Sequence, residues 1–66
     1  MRVRILGQRV GESLMGLTLR ANTGTVLEPD TSDMDYYVVR PDAPAEGEHG
    51  EDILEIVWLE DNLRPI

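Results

Sequence analysis

Polar and apolar residues alternate with period two in Arg2-Val3-Arg4-Ile5, which predicts a strand with one face buried. Thr23-Gly24-Thr25-Val26-Leu27 reads as a second strand, stopped by Glu28-Pro29-Asp30 and the loop-forming run Thr31-Ser32-Asp33. Asp35 to Arg40 (Asp-Tyr-Tyr-Val-Val-Arg) is rich in aromatic and β-branched residues and predicts a third strand, ended by Pro41, which has no N–H to give a ladder. Ile53 to Leu59 predicts a fourth, interrupted only by Glu55. Glu60-Asp61-Asn62-Leu63 suits a single tight helical turn, and Arg64-Pro65-Ile66 a short last strand with its proline at an edge.

Two stretches carry no such period. Gly7 to Ala21 holds Leu14, Met15, Leu17 and Leu19, but Gly11 and Gly16 weaken a helix there. The expectation is a long loop with Leu17-Thr18-Leu19 extended, a short helical turn over Glu12 to Met15 being the alternative. Residues 41–52 hold two prolines, two glycines and five acids, and predict an exposed, mobile acidic loop. The expected fold is mainly β: one domain over residues 1–66, a small closed or half-open barrel of about five short strands, with a long first loop and one helical turn before the last strand. Closure would remove the sheet edges that invite aggregation.

The chain has 66 residues, no cysteine and a single histidine, His49. A core of this size supplies only ~3–5 kcal/mol net, and disulfides and thiolate metal sites are excluded. Self-association is the remaining source of stability. The absence of cysteine fits a reducing cytoplasm, and no run is apolar enough for a signal peptide or a membrane span. The net charge is −7, with four of the six arginines before residue 28 and twelve of the thirteen acids from residue 28 on. That balance disfavours nucleic acid and anionic membranes as partners and admits a basic protein.

The order of elements resembles the SH3-like small barrels. Gly24-Thr25-Val26 matches a glycine opening their second strand, Asp35 to Arg40 their central strand, and Glu55 to Ile66 their last strand, single-turn helix and closing strand. The resemblance covers roughly residues 1–6 and 22–66, and implies architecture rather than activity. Two relatives within that class are narrower. The type II dihydrofolate reductases carry a Val-Gln-Ile-Tyr strand, but here Glu55-Ile56-Val57-Trp58 lacks its glutamine and tyrosine, and a charge of −7 suits anionic folate and NADPH poorly. The peptide-binding SH3 domains open on an aromatic pair that the first strand here does not have. In size and style the chain is similar to small bacterial barrels of mobile elements.

Candidate chemistry is sparse. His49, between Glu48 and Gly50, has neither burial nor fixed neighbours to tune it as a general base. Asp30, Asp33 and Asp35 lack the turn glycine and bidentate acid of a calcium loop. The acids of residues 46–52 offer weak cation binding on charge density alone. Ser13, Ser32 and the four threonines have no histidine placed beside them, and Gly7 and Gly11 make no phosphate loop. No cofactor and no enzymatic activity are expected.

Apolar surplus is the more telling feature. One alternation of the fourth strand would bury Leu54, Ile56 and Trp58, leaving Ile53, Val57 and Leu59 for the other face. A small barrel has room for one set. The second is covered by the Gly7–Ala21 segment, by another subunit or by a partner. The expected function is a protein-interaction or assembly module, self-associating as a homo-oligomer, with Tyr36, Tyr37, Arg40, Trp58 and Leu59 at the interface. An acidic inhibitor that mimics nucleic acid on a basic protein surface is the second reading, and an oligomeric enzyme with a shared inter-subunit site the third.

Overall fold

A computed structural model describes residues 1–29 and 35–66, the side chain of Pro29 excepted. The chain folds into two antiparallel sheets that share one core, a small β-barrel-like fold. The larger sheet contains β1 (Arg2–Ile5), β4 (Thr23–Pro29), β5 (Tyr36–Pro41), β8 (Ile56–Leu59) and β9 (Leu63–Pro65), in the order β8-β5-β4-β1-β9. The smaller contains β2 (Ser13–Leu14), β3 (Leu17–Thr18), β6 (Ala45–Gly47) and β7 (Asp52–Ile53), in the order β2-β3-β6-β7. A single 3-10 turn, Glu60–Asn62, joins β8 to β9. No helix among the described residues is long and apolar enough to cross a membrane.

The five expected strands are the five members of the larger sheet. Period-two alternation sets its inner face: Val3 and Ile5 are buried while Arg2 and Arg4 point out. Leu27 is the extra residue of a bulge in β4, where the register with β5 shifts between Val26 and Glu28. β5 runs one residue further than expected because Pro41, opposite Gly24, needs no N–H there, and Asp42 N–H continues the ladder to the Thr23 carbonyl. The fourth strand is divided. Ile53 belongs to β7 and packs on the core, and β8 starts only at Ile56. Leu54, expected inside, is therefore 64% exposed.

Both stretches expected as loops fold into the smaller sheet. In Gly7–Ala21, β2 and β3 form a hairpin whose two turn residues, Met15 and Gly16, both have positive φ, 52° and 78°. No helical turn forms over Glu12 to Met15, because Ser13 and Leu14 are paired with Thr18 and Leu17. Residues 41–52 are not a free acidic loop either. β6 pairs with β3 and β7, Ala45 is fully buried, and Arg20 lies 3.4 Å from Glu46 and 2.9 Å from Asp52. Burial of one small side chain, with an arginine between two of the acids, holds the segment in the sheet. The expected loop at Thr31-Ser32-Asp33 lies outside the described residues.

The core draws on both layers: Val3, Ile5, Val39, Ile56 and Leu63 from the larger sheet, Ala45 from the smaller, and Leu19 just after β3. Leu17, Val26, Tyr37, Ile53 and Trp58 pack against it.

Candidate functional site

Parity along β5 and β8 decides which apolar residues are available for contact. Val39 and Pro41 point inward and are buried, so Tyr37 points inward with them, while Tyr36, Val38 and Arg40 point out. On β8, Ile56 and Trp58 point in and Val57 and Leu59 out. The register pairs Tyr36 with Leu59 and Val38 with Val57. Two apolar cross-strand pairs thus stand side by side on the outer face, a favourable arrangement within the sheet. It leaves Val57 half exposed and Leu59 40% exposed.

A groove of about 250 Å³ runs along this edge. Tyr36, Val57 and Leu59 line it from the larger sheet, together with Trp58 and Asn62. Leu14 from β2, with Gly7 and Gln8, completes the lining. The surroundings are held by three hydrogen bonds. Trp58 Nε1 donates to the Leu6 carbonyl at 2.8 Å, tying β8 to the end of β1. The Gln8 amide donates to the carbonyls of Glu12 and Leu17 at 2.8 and 2.7 Å, fixing the segment that carries Leu14. None of the residues lining the groove is charged, in a chain of net charge −7. Desolvating it takes no ion out of water.

Of the five residues expected at an interface, Tyr36, Trp58 and Leu59 meet in this groove. Tyr37 packs against the core instead and lines a separate hollow of about 290 Å³ with Met1 and Val26. Arg40 stands on the outer face at the far end of the β5–β8 ladder, 3.4 Å from Glu55. Leu14 escaped the sequence reading because its Met-Gly turn is not the Asn-Gly or Asp-Gly pair that signals a two-residue hairpin. The turn displays Met15 at 98% exposure beside Leu14.

The charged residues form other constellations. Arg2 Nη2 donates to Asp42 at 2.7 Å, and Thr23 Oγ1 donates to the same carboxylate. The bond from Arg2, then that from Thr23, hold the Asp42 pKa down to about 2. A hydrogen bond to Asp52 raises the Arg20 pKa. His49 is 80% exposed, 3.3 Å from Glu48, with nothing to bury or position it as an acid–base group. A larger hollow of about 520 Å³ beside Leu6–Val10 has Arg9 and Glu12 among its walls and no histidine. Among the described residues no group of three or more His, Asp or Glu could hold a metal ion. Asp30 and Asp33, considered for calcium, lie outside the described residues.

No family model, curated protein or solved structure matches the chain.

Proposed function

We propose that this chain is a non-enzymatic interaction module of the SH3-like barrel type, cytoplasmic, which acts by associating with other protein and first of all with itself. The observation that carries the reading is the uncharged groove beside the outer pairs Tyr36–Leu59 and Val38–Val57, of which Val57 and Leu59 are exposed. The Gly7–Ala21 segment borders these residues through Leu14 but leaves Val57 and Leu59 exposed, so the described residues do not cover this apolar surplus. Contiguous apolar surface beside a polar exterior is where soluble proteins bind one another. The strand order and the 3-10 turn before β9 support the barrel type.

The acidic-mimic reading has less behind it. Arg20 sits between Glu46 and Asp52, Arg2 holds Asp42, and Arg40 meets Glu55, so these acids are partly neutralised within the chain.

Light scattering over a concentration series, in low and high salt, tests the proposal. Association through the groove is expected to grow with concentration and to survive high salt, because an uncharged contact is not screened. Val57→Asp is expected to abolish it at a cost of about 1 kcal/mol to the fold, since Val57 is half exposed but pairs with Val38 in the ladder. A monomer at every concentration would overturn self-association, and an assembly dissolved by salt would move the contact to the charged surface.

A further inference from the structure

We infer that two copies of the chain join through the free edge of β8, each β8 pairing antiparallel with the other. The inference rests on the self-association proposed above, and adds the strand, the register and the backbone groups that meet.

The ladder's phase is set by one bond. Glu60 N–H donates to the Asp35 carbonyl at 2.9 Å, one step beyond the Tyr36–Leu59 pair. Hydrogen-bonded and non-bonded pairs alternate along an antiparallel ladder, so Trp58 with Tyr37 and Ile56 with Val39 exchange the remaining bonds. Val57 and Leu59 therefore turn their N–H and C=O groups away from β5. Among the described residues the Val57 N–H and C=O and the Leu59 N–H have no backbone partner, while the Leu59 carbonyl, at the N-cap of the 3-10 turn, accepts one bond from the Asn62 N–H. The residues with outward backbone groups are the same two whose side chains are exposed on the outer face.

Natural sheets blunt such edges with proline, charge or brevity. The opposite edge, β9, contains Arg64 and Pro65, and the edges of the smaller sheet, β2 and β7, are two residues long. β8 reads Ile-Val-Trp-Leu and has none of these devices.

Charge selects a second copy as the occupant. The uncharged groove offers nothing to a basic strand, whereas β8 of a second copy is itself uncharged, apolar and unpaired. With Val57 opposite Leu59 of the second copy, the two strands exchange four N–H···O=C bonds, the Leu59 carbonyls accepting on the lone pair that the 3-10 turn leaves free. Each outer row then reads Val38, Val57, then Leu59 and Tyr36 of the second copy, with no charge in it. Glu60 falls opposite Ile56 rather than another acid, and Glu55 is already paired with Arg40. The area covered is limited to the four-residue strand and its flanks. That places the contact below about 1,200 Å², the range of weak, reversible complexes. The two-fold uses up both β8 edges, so assembly stops at a dimer.

The decisive variant is Leu59→Pro. Leu59 has φ −62°, the angle proline prefers, and its N–H is one of those turned away from β5. Proline therefore deletes an intermolecular donor from each copy with no loss from the native ladder, while an apolar side chain remains. The expected result is a folded protein with an unchanged far-ultraviolet circular dichroism spectrum whose dimerisation is weakened on the order of a hundredfold, the consequence of two lost bonds and two carbonyls left without donors. Leu59→Met, which keeps the N–H, is expected to dimerise as the parent does. Should Leu59→Pro fail to fold, cysteine pairs decide: the parent has no cysteine, and facing Cα atoms at about 5.5 Å suit a disulfide. Val57→Cys mixed with Leu59→Cys is expected to crosslink, and neither alone. A parent that dimerises while Leu59→Pro dimerises equally well would overturn edge pairing and leave self-association standing. Failure of the mixed cysteines to crosslink a dimeric parent would do the same. A parent that is monomeric throughout would overturn both.

Discussion

Leu19 lies in a segment whose composition reads as loop, yet it is fully buried between the sheets. Leu19→Ala tests whether that segment is a structural layer. The substitution removes three carbons from the buried cluster that Leu19 forms with Val3, Ile5, Val39, Ala45, Ile56 and Leu63. The site cannot easily collapse, because the Leu19 carbonyl accepts the Gly11 N–H at 2.8 Å and Leu19 bridges to Val10, which pins the backbone. A buried Leu→Ala change costs about 2–5 kcal/mol, and a pinned site belongs near the middle of that range, about 3 kcal/mol. A chain of this length has roughly 3–10 kcal/mol in total. The loss is therefore a large fraction of the stability, and lowers Tm by roughly 12–24 °C at 4–8 °C per kcal/mol. Urea unfolding followed by the fluorescence of Trp58, the single tryptophan, measures it directly. Leu19→Val, at about 1 kcal/mol, keeps a transition in view if the alanine variant is unfolded from the start. Leu54→Ala, on a 64% exposed side chain, is the control and is expected within about 0.5 kcal/mol of the parent. Equal effects at Leu19 and Leu54 would refute the reasoning, since Leu19 would then not be part of the core.

Met15→Asn is expected to stabilise the chain by about 0.5–1 kcal/mol in the same assay, because Met15 holds a φ of 52° that asparagine tolerates better, at the first turn position of a two-residue hairpin. Gly24→Ala is expected to cost about 1–3 kcal/mol: the added Cβ would lie 2.5 Å from the Arg40 carbonyl oxygen and 3.0 Å from Pro41 Cα, both backbone atoms of the paired strand, and an unchanged melting temperature would show that β4 and β5 can part without cost. Asp42 has a folded pKa of about 2, below its unfolded value, so its contribution is full above pH about 4 and is lost as pH falls through about 2. Asp42→Asn is accordingly expected to flatten the acid limb of stability between those values, measured by urea unfolding at stepped pH, and an identical limb in the variant would count against the Arg2–Asp42 bond.

The larger sheet was legible in the sequence because its strands carry local signals. Arg2 to Ile5 alternates, Tyr36 to Val39 is aromatic and β-branched, and Pro29 and Pro41 mark the ends of β4 and β5. The apolar character of Tyr36, Trp58 and Leu59 was legible in the same way. The smaller sheet was not, because its strands are two or three residues long and contain or border Gly16, Gly47, Pro44 and several acids, the chemistry of loops. Strands so short gain little by themselves. They form because Leu19 and Ala45 are buried against the larger sheet and because Arg20 reaches Glu46 and Asp52, and those contacts join residues far apart in the chain. The site divides along the same line. Tyr36 and Tyr37 are indistinguishable by composition, and only the inward turn of Val39 and Pro41 sends one to the surface and the other to the core. The groove needs Leu14 brought beside Val57 across more than forty residues, a juxtaposition that no local pattern encodes and that tertiary packing alone decides.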